Sequence, residues 1–151
     1  MRVSDIMSRG VKTIQASNST EAARERMAVH AIRHLVVMDD GKVVGVVSER
    51  DLGGRRSVKT GDDRAVTEVM TRQAVTAKPE QTIRQAANLM RGRGIGCLPV
   101  LKDGRLKGIV TVTDLLELLG RGLERPIPRT ERAILSRRHG KYRKMPAGIR
   151  D

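Results

Sequence analysis

The chain has 151 residues, with 30 Lys and Arg against 17 Asp and Glu for a formal net charge of +13, no Phe or Trp, one Tyr and one Cys. With only Cys97 an intrachain disulfide is excluded, which suits a reducing compartment. Apolar runs of a few residues exclude a bilayer-spanning helix, which needs about 20, and Met1 to Met7 lacks the apolar stretch of a signal peptide, so a cytoplasmic protein without membrane contact is expected.

A core without large aromatics must be built from Val, Ile, Leu, Met and Ala. The charge is uneven: residues 1–120 carry 20 basic against 14 acidic residues, and residues 121–151 carry 10 against 3. Such a balance points to anionic partners and does not choose among nucleotide, nucleic acid, polyphosphate and acidic surface.

The chain opens with V-S-D-I-M-S-R at residues 3–9, where a hydroxyl, an acid and then Met make one capped helical turn, an entry segment able to lie across a neighbouring unit. Val11 to Ile14 predicts a short strand. Asn18 with Glu21 fits a capping box, and Ala23 and Met27 share the face of the helix that follows. His30 to Arg33 ends that helix. Two apolar strands come next, Leu35 to Met38 and Gly45 to Val47, joined through Asp40-Gly41, a hairpin signal because both central residues must tolerate positive φ. Ser48, Asp51 and Leu52 mark the passage from a strand end to a helix start. Gly53 to Ala65 is a charged, glycine-rich linker, in which Arg55 and Arg56 are read as solvated.

From there the pattern returns at a fixed offset of 63 residues without insertion or deletion. Val66 to Arg72 repeats the entry segment and Ala74 to Ala77 the first strand. Ile83, Ala86, Ala87 and Met90 have the i, i+3, i+4, i+7 spacing of a helix. Gly92 to Gly96 follows a helix and leads into a strand, the reverse of a dinucleotide-binding loop, and is read as a helix stop. Leu98 to Leu101, Asp103-Gly104 and Gly108 to Thr111 give the second hairpin. Pro99 replaces Val36, with little expected effect on the strand. Leu115, Leu116, Leu118 and Leu119 form a stripe wider than one core contact needs, so part of it is expected to meet a second subunit or the tail. Beyond Arg121, Pro126 and Pro128 break the pattern, Arg129 to Arg138 can hold a short basic helix, and Gly140 to Asp151 reads as loose.

Two copies of one unit too small to bury its own apolar face should pack as one domain. The predicted organisation is repeat 1 over 1–57 with a linker at about 53–65, repeat 2 over 66–120, and a basic tail over 121–151. Each repeat ends in an apolar strand, a hydroxyl (Ser48 or Thr111) and, three residues on, a carboxylate (Asp51 or Asp114). Helix-start N–H groups favour an anion, a hydroxyl can bond a phosphate oxygen, and a carboxylate can accept from paired sugar hydroxyls. The same residues also make plain N-caps, and a single copy would not separate the two readings.

The ordered motifs, D-I-M and E-V-M, helices reaching Met27 and Met90, H-L-V-V and C-L-P-V before D-G, and G-V-V-S-x-x-D-L with G-I-V-T-x-x-D-L, resemble the CBS domain, in the tandem pair called a Bateman module. The resemblance covers residues 1 to about 120. It implies an α+β fold of two β-α-β-β-α repeats about a pseudo-two-fold axis, with adenosine-containing ligands (AMP, ADP, ATP, NAD or S-adenosylmethionine) between them as regulators and no obligatory cofactor. By position, Asp51 and Asp114 would hold ribose, Ser48 and Thr111 phosphate, and Thr13, Ile14, Thr76 and Ala77 would offer backbone groups and apolar surface to adenine. Arg33, His34 and Arg50 would add to the phosphate side, where the second copy has Gly96, Cys97 and Thr113, so the two clefts are expected to bind unequally. The resemblance further implies energy sensing, a homodimer and an unidentified partner protein.

No catalytic or metal-binding residues emerge: His30, His34, His139 and Cys97 lack ligand spacing, and no nucleophile sits in a recognisable elbow or triad. Family members that are enzymes carry a separate catalytic domain, for which this chain leaves no room. The alternative reading is a nucleic-acid or polyanion binder acting through residues 121–151, with salt-sensitive binding and only Tyr142 available to stack on a base.

Overall fold

The computed structural model describes residues 1–53 and 64–121. Arg55 and Arg56 of the linker and the expected basic helix of the tail lie outside the described residues. In chain order the elements are α1 (Val3–Ile6), β1 (Thr13–Gln15), α2 (Thr20–His30), β2 (His34–Asp39), β3 (Lys42–Ser48), a 3-10 turn (Val66–Glu68), β4 (Thr71–Arg72), α3 (Ile83–Arg93), β5 (Cys97–Lys102), β6 (Arg105–Thr111) and α4 (Val112–Gly120). One sheet has the order β1-β2-β3-β4, and a second consists of β5 and β6. The fold is α+β, built from two repeats of strands and helices.

Local chemistry explains the corners. Asp40 and Gly41 (φ 47° and 72°) and Asp103 and Gly104 (φ 52° and 72°) make matching turns in the left-handed region, which lets the strands return with the right twist. The antiparallel pairs β2/β3 and β5/β6 shift register at the same point, between Val37 and Met38 and between Val100 and Leu101. α2 ends on Ala31 at φ 52° and α3 on Gly94 at φ 63°, so the Gly92 to Gly96 stretch is indeed a helix stop.

Three expectations need correction. The cap of α2 is Ser19, whose hydroxyl accepts from the Ala22 N–H at 3.2 Å, while the Asn18 carboxamide accepts from the Gln15 N–H at 3.1 Å and closes the preceding turn. The first strand of repeat 2 shrinks to one parallel bridge, Ala77 with Val100, where repeat 1 has the three-residue β1. Pro99 is the physical reason. The Val36 N–H donates to the Lys12 carbonyl at 3.3 Å, and Pro99, in its place, has no N–H to give. Finally, the closing helix of repeat 1 is described only as one turn through Leu52, ending at Gly53 with φ 87°. The Arg24 guanidinium donates to the Leu52 carbonyl there, where repeat 2 has Ala87 and α4 runs on.

The repeats interlock through their entry segments. Val3, Ile6 and Met7 are buried with Ala77, Ala86, Met90, Leu98, Val100, Val110 and Leu118 of repeat 2. Val66 is buried reciprocally with Ile14, Ala23, Met27, Leu35, Val37, Val47 and Leu52 of repeat 1. The tethering bonds repeat at the 63-residue offset: Val3 N–H to the Gln81 carbonyl at 2.8 Å, and Val66 N–H to the Asn18 carbonyl at 2.9 Å. Asp5 and Glu68 anchor each turn by accepting from the Arg2 N–H at 2.7 Å and the Ala65 N–H at 2.9 Å. Neither core is complete without the other repeat's first residues, which is why the two halves behave as one module.

Candidate functional site

The crossing segments demand glycine where they pass. A Cβ on Gly45 would lie 2.6 Å from the Thr71 carbonyl oxygen, and one on Gly108 would lie 2.7 Å from Met7 Sδ and 3.0 Å from the Ser8 carbonyl oxygen. The two signature strands, β3 and β6, begin their approach to the site from these contacts.

Each strand ends in a reciprocal cap. The Ser48 N–H donates to Asp51 Oδ2 at 2.7 Å and the Asp51 N–H donates to Ser48 Oγ at 3.2 Å. In repeat 2 the Thr111 N–H donates to Asp114 Oδ2 at 2.8 Å, the Asp114 N–H to Thr111 Oγ1 at 3.3 Å, and the Thr111 hydroxyl to Asp114 Oδ2 at 3.1 Å. Both residues of each pair are half-buried. The capping geometry is therefore present. An ionised carboxylate can accept about four hydrogen bonds, so capping through Oδ2 does not exhaust either aspartate.

The starts of β2 and β5 meet at the seam between repeats. A Cβ on Gly96 would lie 3.1 Å from His34 Nε2. Burial pushes the His34 imidazole below its ordinary value, against the opposing pull of Asp51 and with Arg33 adding to the depression. Cys97, the counterpart of His34, is 6% exposed, and burial followed by the charge of Asp51 pushes its thiol up to about 12. Asp51 thus acts on a residue from each repeat and faces the seam. The Cys97 thiol stays protonated at neutral pH and is no nucleophile. Arg33 pairs with Glu49 at 3.7 Å, and Arg50 is exposed.

On the first strand of each repeat, Thr13 is half-buried and Thr76 exposed. Ile14 (1% exposed) and Ala77 (2%) turn their side chains into the two cores. Their side chains are engaged in packing within those cores. Sequence reasoning passed over one residue at this edge. The Arg26 guanidinium donates to the Thr13 carbonyl, and the signal was an arginine standing where the repeat has Leu89.

Among the described residues, no group of three or more His, Cys, Asp or Glu could hold a metal ion, and no helix is long and apolar enough to cross a membrane.

The family model for the CBS domain matches residues 3–52 and 66–121. A homoserine O-acetyltransferase of Methanohalobium evestigatum is 37% identical over 119 residues, 78% of this chain but 24% of that protein, so the chain spans about a quarter of its length. A CBS domain-containing protein of Dictyostelium discoideum is 34% identical over 139 residues, 83% of this chain and 95% of the relative. Among solved structures, the CBS domain pair of protein MJ0100 in complex with 5′-methylthioadenosine and S-adenosyl-L-methionine superposes with a TM-score of 0.72 at 30% identity, covering 80% of this chain and 97% of that one.

Proposed function

The chain belongs to the CBS-domain family, and from that premise we propose that it is a cytoplasmic regulatory module, without catalysis of its own, that holds adenosine-containing ligands between its two repeats. The observation that carries this reading is the duplicated cap: two half-buried carboxylates, each three residues after a hydroxyl at a helix start, placed equivalently in interlocked repeats. A relative of similar fold bound to 5′-methylthioadenosine and S-adenosyl-L-methionine supports the ligand class.

In this reading Asp51 and Asp114 accept from the ribose hydroxyls, and Ser48, Thr111 and the adjoining helix-start N–H groups meet a phosphate or its replacement. Arg33 and Arg50 add positive charge, and His34 a neutral imidazole, on the repeat 1 side only. Backbone groups at Thr13 and Ile14 and at Thr76 and Ala77 meet adenine. AMP, ADP, ATP, NAD and S-adenosylmethionine are the candidates. A ligand at the seam biases how the repeats pack, and a partner protein or a second copy of the chain reads that packing. Two features favour a binder over an enzyme: Cys97 is protonated and buried, and the enzyme-named relative above owes three quarters of its length to sequence outside this match.

The test is thermal unfolding with a panel of these ligands. A ligand at 100 times its dissociation constant adds about 2.7 kcal/mol, and Asp51→Ala or Asp114→Ala removes the gain at its own site. Wild-type protein that gains nothing from any of them would sink the proposal.

A further inference from the structure

Resting on the adenosine-binding reading, we infer that Arg24 is a positioning residue for Asp51: its guanidinium stands in for the helix that Gly53 interrupts and keeps the Asp51 carboxylate in place for a ligand, a task that α4 performs for Asp114 in repeat 2. Asp51 lies in a turn, residues 49–53, closed by hydrogen bonds from the Leu52 N–H to the Ser48 carbonyl at 3.3 Å and from the Gly53 N–H to the Arg50 carbonyl at 3.0 Å. Gly53, at φ 87°, takes the chain out of the helical path. A helical turn that stops there leaves its last carbonyls without the N–H groups that a further turn would bring. In repeat 2 the equivalent Asp114 sits in the first turn of α4, which runs on to Gly120, so the Leu115 carbonyl lies inside the helix and the next turn supplies its donor.

Arg24 makes up the difference. It projects from α2 and donates to the carbonyl of Leu52, the counterpart of Leu115, while the Leu52 side chain is buried in the repeat 1 core. A guanidinium at the end of a helical turn also meets the negative end of its dipole, and a bond from a charged donor is stronger than one between neutral groups. Packing alone does not explain the residue. Arg24 is half-buried and its Nε–H is buried without a hydrogen-bond partner, a cost that Ala87, at the same place in repeat 2, does not incur. The arginine stands in the repeat whose helix is interrupted, and the alanine in the repeat whose helix continues. Asp51 is thus fixed from both sides, by Ser48 before it and by Arg24 through Leu52 after it. When the turn opens the carboxylate leaves its place, and the apparent affinity falls with the fraction of molecules in which the turn is closed.

The test separates the clefts by removing one carboxylate at a time. 5′-Methylthioadenosine, AMP and ATP are titrated by calorimetry into the full chain carrying Asp114→Ala, which keeps the Asp51 cleft, and into the full chain carrying Asp51→Ala, which keeps the other. Adding Arg24→Ala, which installs the residue of repeat 2, should weaken binding about tenfold or more in the Asp114→Ala protein and leave it within about twofold in the Asp51→Ala protein. Arg24→Lys, whose ammonium can donate to the same carbonyl, should recover part of the loss. In the otherwise wild-type chain, Arg24→Ala should speed hydrogen exchange at the Leu52 and Gly53 amides and not at Leu115. Equal weakening in both proteins, no weakening in either, unchanged exchange at Leu52 and Gly53, or an Asp51 cleft that takes none of the three compounds would overturn the inference and leave the adenosine reading standing. Wild-type protein that takes none of them would overturn that reading, and the inference with it.

Discussion

His34 and Cys97 show how far duplicated positions can diverge in chemistry. Both lie at the start of a hairpin strand and both feel Asp51, yet one is an imidazole pushed down by burial and the other a thiol pushed up by it. The histidine makes stability depend on pH with a definite sign. Its ordinary value is 6.5 and its folded value is lower, so on acidification the unfolded chain takes up the proton first. The stabilisation is whole above about pH 6.5 and drains away as pH falls towards the folded value. The proton would arrive beside the Arg33 guanidinium, with Asp51 and Glu49 giving partial compensation. Unfolding temperatures measured between pH 7.5 and 5 should therefore drop more steeply in wild-type protein than in His34→Gln. His30 and His139 are common to both proteins and cancel. Parallel pH profiles would show that the half-buried imidazole is not a source of acid sensitivity. The sequence placed His34 on the phosphate side, and the direction of its shift required its burial, which one residue in a linear pattern does not reveal.

At the scale of elements, what the sequence disclosed was whatever short-range chemistry dictates. The Asp-Gly turns, the helix stop at Gly94 and the Ser48/Asp51 and Thr111/Asp114 caps all depend on residues a few positions apart. What it hid depended on partners far along the chain. Pro99 trims the first strand of repeat 2 because its missing N–H faces residue 75, and Ser19 takes the cap because Asn18 is held by Gln15. Gly45 and Gly108 belong to the same class: each read as the head of an apolar strand, and each proves to be the place where the other repeat's entry segment crosses. Their substitutions should differ in cost. At Gly45 the obstacle at 2.6 Å is the Thr71 carbonyl of β4, which is hydrogen-bonded into the sheet and has little freedom. At Gly108 the nearest obstacles are Sδ and Cγ of Met7, at 2.7 and 2.9 Å, a side chain rather than backbone though one packed in the repeat 2 core, and the Ser8 carbonyl, bonded by the Ile109 N–H, stands further off at 3.0 Å. Chemical denaturation should put Gly45→Ala at about 2–3 kcal/mol less stable than wild type and Gly108→Ala nearer 1 kcal/mol. The reverse order would mean that the crossing at Ser8 is the more rigid one.

For the molecule as a whole, the leucine stripe of α4 divides into two jobs. Leu118 is 8% exposed and Leu115 packs on the repeat 2 core, while Val112 (40% exposed), Leu116 (61%) and Leu119 (68%) line up at i, i+4 and i+7 on the outer side. A helix that needs only one buried face does not require a second apolar stripe, and a self-complementary stripe of this kind suits a two-fold pairing of copies. Six such side chains from two copies, buried only in part beyond what the monomer already covers, contribute up to roughly 10 kcal/mol gross at about 1.5–3 kcal/mol each. Association itself costs an estimated 4–15 kcal/mol, so this contact by itself supports a dimer that dissociates on dilution. Sedimentation velocity should show mass moving from twice 16.7 kDa towards the monomer value as concentration is lowered through the micromolar range. Leu116→Lys should hold the protein as a monomer at every concentration and leave its unfolding temperature equal to that of wild type diluted to the monomer, because the side chain it replaces lies outside both cores. A dimer that survives this substitution unchanged would place the contact on another face. α4 is capped by Thr111 and carries Asp114 in its first turn, so a ligand that draws on that carboxylate pulls directly on the helix through which the copies would meet. If dimer and ligand are linked in this way, saturating ligand must alter the dimer dissociation constant by the square of the factor by which dimerisation alters affinity at this site, one such site being present in each copy.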